Sequence, residues 1–158
     1  VAKQPEKKGE RIQAYVQSLG LGAESYNPCY LGYFGCFNTG EYYEAHDVLE
    51  HLWLQGRDEN YAFYKGLIQL AGAFVHLQKQ RARPDHPKDG RRMHPAVRLF
   101  RLAEGNLSAY RPVHLGLDLE KVFDLIESHV ARIEKSNFLL NPWHPDTAPQ
   151  LRLKPFRE

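Results

Sequence analysis

The chain has very little cysteine. Two residues, Cys29 and Cys36, cannot build the disulfide framework of a small secreted scaffold. Their spacing matches no zinc knuckle either, so both are expected as small buried hydrophobes. Apolar runs are short, and none approaches the roughly 20 residues a membrane span requires. The net charge of +2 is too small to argue for nucleic acid or for an anionic membrane surface. The opening stretch VAKQPEKKGERIQ is charged throughout and lacks the apolar core of a signal peptide. A cytoplasmic protein with no membrane partner and no nucleic-acid partner is therefore expected. No Gly-rich phosphate cradle, nucleophile elbow or Cys–His signature is present. No segment alternates with period two, so no sheet is expected.

What is there is a globular composition, 42% hydrophobic and 25% charged, in a length that suits one domain. Turn signals divide the chain into helical stretches, and the expected fold is an all-α, single-domain bundle of about five helices. A helix is expected over Pro5–Leu19, stopped by Gly20. Gly20 to Phe37 reads as an irregular aromatic loop packed on the core, with Tyr26, Tyr30, Tyr33, Phe34 and Phe37. Asn38 with Glu41 forms a capping-box pattern, flanked by Phe37 and Tyr42 at the staple positions. It opens a helix that runs toward Gly56. Asp58 caps the next helix, Glu59 to Gln80. A basic loop follows over Lys79–Arg92 and reads as solvated. Pro95 opens a helix that reaches Tyr110, and Asp118 caps a last one with Val122, Leu125, Ile126, His129, Val130 and Ile133 at helical spacing. The helical domain is placed at residues 1–140. An extended, proline-rich tail is placed at 141–158, ordered through docking of Trp143 on this chain or on a second copy.

Chemistry concentrates on the helix after Asn38. A helical residue advances by about 100°, so i, i+4 and i+7 share a face. Glu50 and Trp53 fall on the side of His46, with Tyr42, Tyr43 and Leu49 flanking and with Glu44, Asp47 and His51 opposite. On this reading His46 and Glu50 lie inside the apolar stripe and must find partners there. The following helix carries a line of small residues, Ala62, Gly66, Gly72 and Ala73, whose polar members are Gln69 and His76. An antiparallel pair of these two helices could bring the two polar lines together.

The run FNTGEYYEAHDVLEHLW, followed by GLIQLAGAFVHL, resembles the bacterial and archaeal "domain of unknown function 309" family over residues 30–80. The resemblance rests on a helical H-x-x-x-E-x-x-W motif, here His46, Glu50 and Trp53, and on a later GLIQ segment, here Gly66–Gln69. It implies a helical fold and a motif for which metal binding has been suggested.

Two functional readings follow. In the first, His46 and Glu50 hold a divalent metal or a small polar ligand, with His76 as the best third ligand and His129 as the second candidate. Trp53, Gln69, Tyr42 and Tyr43 would support that site, and Zn²⁺, Mn²⁺ or Fe²⁺ would suit such donors. An enzyme of this kind would most naturally perform metal-assisted hydrolysis, with Glu50 as ligand or general base. Neither zinc motif of the form H-E-x-x-H or H-x-x-E-H is present, and His129 in an apolar stripe also suits a core residue. In the second reading, His46 and Glu50 are a structural pair in a non-catalytic interaction or scaffold domain. A ligand site needs a solvent path to His46, whereas a scaffold can seal it. A two-fold homodimer is compatible with both.

Overall fold

The computed structural model describes residues 10, 11, 14 and 26–156. Apart from those three helical positions, the helix expected over Pro5–Leu19 lies outside the described residues. Residues 26–156 form five α-helices: α1 (Pro28–Asn38), α2 (Tyr42–Trp53), α3 (Tyr61–Ala82), α4 (Met93–Leu107) and α5 (Leu119–Lys135). Short 3₁₀ turns follow at Ser108–Tyr110 and Pro145–Thr147. The all-α reading holds, and no helix among the described residues is long and apolar enough to cross a membrane.

Helix α1 replaces the expected aromatic loop. Its start is chemically plain: the Asn27 side chain accepts from the Cys29 and Tyr30 amides, and Pro28 occupies the first turn. Its aromatics, Tyr30, Tyr33, Phe34 and Phe37, follow i, i+3, i+4, i+7 spacing and share one face, while Cys29, Gly32 and Cys36 beside them are buried as well, so the helix has little polar contrast. Tyr30, Tyr33 and Phe37 are almost fully buried. Gly32 and Gly35 also made the stretch read as irregular.

The expected capping box at Asn38 does not form. Asn38 ends α1, and its amide instead grips the tail, donating to the Leu151 carbonyl at 2.8 Å and accepting the Leu151 amide at 2.7 Å. Helix α2 starts four residues later, with Glu41 at its cap and no side-chain cap bond. Asp118, by contrast, caps α5 as expected, accepting from the Glu120 and Lys121 amides. The sequence showed no sheet, and the structure has one small ladder, β1 (Val113–His114) against β2 (Leu117–Asp118). Two residues per strand are too few to display an alternation.

Helix α3 is the axis of the molecule. Gly66 brings it tight against α4: a Cβ there would sit 2.7 Å from the Leu107 side chain and 3.3 Å from the Ala103 carbonyl. Leu67, Leu70, Phe74, Phe100, Leu107, Val122 and Ile126 fill the core. The tail beyond α5 is part of the same core. Trp143 is 6% exposed, and its indole N–H donates to the Tyr42 hydroxyl at 2.9 Å. Asn141 donates to the Leu77 carbonyl at 2.7 Å, and Leu151 is buried between Asn38 and its neighbours.

Candidate functional site

Helix α2 buries Tyr42, Ala45, Val48 and Leu49. The centre of its inward face is therefore the 42–45–49 line, about 100° from the line of His46 and Glu50. Ala45, small and easily overlooked, marks that centre. His46 and Glu50 consequently lie at the rim, with side chains 31% and 33% exposed. This corrects the expectation that the pair lies inside the apolar stripe: solvent reaches both.

His46 stands between two carboxylates. Its Nδ1 lies 3.2 Å from Asp47 Oδ1, within hydrogen-bond reach, and its Nε2 lies 3.6 Å from Glu50 Oε2. The second separation is too long for a hydrogen bond. It is close to the roughly 3.3–3.4 Å that separates two ligands of one tetrahedral ion with bonds of about 2.0–2.1 Å. The Tyr43 ring, 57% exposed, stacks on the imidazole at 6.2 Å with planes 23° apart. Asp47 was expected on the solvated side. Sequence reasoning missed it because neighbours at i and i+1 point about 100° apart, yet long side chains at a rim can still meet.

Of the supporting residues, Tyr43 joins His46 and Tyr42 does not. Tyr42 points inward, stacked on Phe74 and bonded to Trp143. Burial raises its phenol pKa, partly offset by the bond from Trp143. Trp53 is half-buried, stacks on Tyr61 at 5.0 Å across the α2–α3 turn, and its buried indole N–H has no hydrogen-bond partner among the described residues.

Gln69 and His76 face α4 rather than α2. Gln69 accepts from the Asn106 amide at 2.7 Å. His76 Nδ1 accepts from the Arg92 guanidinium at 3.0 Å, which fixes the neutral tautomer with its proton on Nε2. Burial, then the nearby cations Arg92, Lys79 and Arg98, lower the His76 pKa to about 4. The physical reason for this orientation is the small-residue line itself: Gly66 admits α4, so the polar residues on that line meet α4 as well. His76, expected as third ligand, thus spends one ring nitrogen on an arginine. His129 is a core histidine. Its Nδ1 donates to the Leu125 carbonyl at 2.9 Å, its ring lies edge-on to Phe74 at 5.1 Å, and burial lowers its pKa. Among the described residues, no three His, Cys, Asp or Glu side chains gather into a metal-holding group.

Residues 30–84, which span α1, α2 and α3, match the family model described as "Domain of unknown function (DUF309)". The segment includes His46, Asp47, Glu50, Trp53, Gln69 and His76. No curated protein and no solved structure matches the chain.

Proposed function

With residues 30–84 forming a DUF309 domain, we propose that its α2 rim binds a divalent cation, or a small polar ligand in its place, between His46 Nε2 and Glu50 Oε2. The observation that carries this reading is the 3.6 Å separation of two solvent-reached donors one helical turn apart. Asp47 on Nδ1 supports it, since a carboxylate there turns the Nε2 lone pair outward and raises its basicity, as behind many metal-bound histidines. Zn²⁺, Mn²⁺ and Fe²⁺ suit an imidazole–carboxylate pair. Two protein donors leave the remaining coordination positions to water or substrate, which is the condition for Lewis-acid or hydrolytic chemistry. The open rim favours this reading over a sealed scaffold pair.

The test uses the full chain without a histidine tag. Zn²⁺, Mn²⁺ and Fe²⁺ are titrated while the melting temperature is followed, for the parent and for His46→Leu/Glu50→Leu. A binding site raises the parent's melting temperature and leaves the double variant unmoved. Equal curves for both, with every ion, would return His46 and Glu50 to a scaffold role. Light scattering in the same titration reads whether a homodimer completes the site.

A further inference from the structure

Charge in this chain is segregated. Residues 79–98 hold seven Lys and Arg against two Asp, a net of +5, so with the whole chain at +2 the other 138 residues carry −3. Lys79, Arg81, Arg83, Lys88, Arg91 and Arg98 are all exposed. One of the two acids is already spent, because Asp89 is bonded by Arg83 and by the partly buried Arg92. The loop that carries these groups is built firmly. The Arg92 amide donates to Gln80, the His86 ring accepts the Lys88 and Asp89 amides, and Gly90 packs so close to the Pro84 carbonyl that a Cβ would lie 2.2 Å from it.

Fold stability accounts for only part of the pattern, through Arg81 on the Trp143 carbonyl and Arg83 and Arg92 on Asp89. Lys79 and Arg81 complement the C-terminus of α3, but Arg91 and Arg92 sit at the N-terminus of α4, which has no acidic residue in its first turn and no side-chain cap. Cations at that end oppose the helix dipole. An aromatic platform adjoins them. His94, exposed in the first turn of α4, stacks on Phe138 at 3.9 Å with planes 5° apart. Phe138 holds φ 63°, a backbone region bulky side chains rarely adopt, and its amide N–H donates a hydrogen bond to the Ile133 carbonyl there. Forty-four residues separate the two rings in sequence, so the loop reads as lacking aromatics until the chain is folded.

We infer that this end of the bundle binds single-stranded nucleic acid, with the α3–α4 loop cations on the phosphates and an unpaired base on the outer face of His94. A planar ring beside a row of arginines is how sequence-tolerant single-strand binders are built. An anionic membrane would use the cations and leave the stacked pair without a role. The inference is independent of the His46–Glu50 reading.

The experiment is fluorescence anisotropy of the full chain with a labelled single-stranded RNA of about 15 nucleotides, beside an abasic oligonucleotide of the same length. Binding is expected to weaken steeply between about 50 and 200 mM salt. Lys88→Glu/Arg91→Glu/Arg98→Glu is expected to weaken it at least about tenfold and to flatten the log–log salt slope by about two. Its melting temperature should not fall, since all three side chains are exposed and Arg91 opposes the α4 dipole; the Lys88→Gln/Arg91→Gln/Arg98→Gln variant gives the same reading should the reversal misfold. His94→Ala is expected to cost about fivefold or more on the RNA and nothing on the abasic oligonucleotide. Salt-insensitive or absent RNA binding overturns the inference, as does full affinity in both triple variants. Equal loss on both oligonucleotides with His94→Ala overturns it too, as does tighter capture by phosphatidylserine-containing vesicles than by the RNA.

Discussion

Two histidines on neighbouring helices have opposite fates. Among the described residues, the polar and ring contacts of His46 on α2 come from its own helix, Tyr43, Asp47 and Glu50, and its side chain stays partly open to solvent. His76 on α3 is half-buried and is met by Arg92 from beyond the next loop, at the start of α4. Both sit on amphipathic helices with a partner line of similar spacing. What separates them is the neighbour the small residues admit: Gly66 draws α4 over the polar line of α3, whereas the Ala45 line turns α2 inward and leaves His46 at the edge. A polar group engaged across elements belongs to the fold, and one left at the rim is open to a ligand.

The sharpest way to break the contrast is to push α4 away. Gly66→Val places new atoms where Leu107 and the Ala103 carbonyl already are, and should cost about 2–3 kcal/mol in urea unfolding. If stability were unchanged, the closing contact would be looser than described. Next in size is Asn106→Leu, which leaves the half-buried Gln69 carbonyl without its donor; a loss of about 1–2 kcal/mol is expected.

A pH titration of stability reads the arginine-bound histidine directly. The folded-state pKa of His76, about 4, lies below its ordinary 6.5, so as pH falls the unfolded chain takes up the proton first. Its contribution to stability is complete above pH 6.5 and is lost progressively down to about pH 4. His129 and His114 are shifted in the same direction by burial and add to the slope. His76→Gln, which keeps an acceptor for Arg92, should therefore flatten the acid limb without abolishing it. An unchanged slope would mean that His76 protonates freely.

The smallest effect belongs to the open pair. His46→Ala should change metal-free stability by less than about 0.5 kcal/mol, because solvent replaces what the ring loses. A loss of 2 kcal/mol or more, on the scale of a buried polar partner, would show that the rim is sealed in solution.

Much of the fold was legible because α4 and α5 carry regular apolar stripes, because α3 is long and apolar, and because Asp118 caps through local chemistry. Helix α1 was missed although Tyr30, Tyr33, Phe34 and Phe37 share one face at helical spacing, because the remaining positions are small or apolar and give almost no polar phase against which to read that face. Asn38 shows a second limit. Its position before an acidic residue resembles a cap, but its real partner is Leu151, over a hundred residues away, and no local pattern encodes that. The site was half legible. Spacing put His46 beside Glu50, while the direction of the small-residue line, which decides where Gln69 and His76 go, became visible only through packing.

The tail's grip on the first two helices also bears on how the chain reaches its final form. Tyr42 waits for Trp143, 101 residues downstream, and Asn38 waits for Leu151, 113 residues downstream. In a chain made from its N-terminus, α1 and α2 exist long before the segment that covers them, with the Phe37–Tyr42–Phe74 aromatic cluster unroofed. Contacts this distant in sequence carry a large loop-closure entropy and tend to slow a helical protein that its local contacts would make fast. A protease that cuts between α5 and Trp143 would strip Tyr42 of its indole partner and Asn38 of Leu151 together.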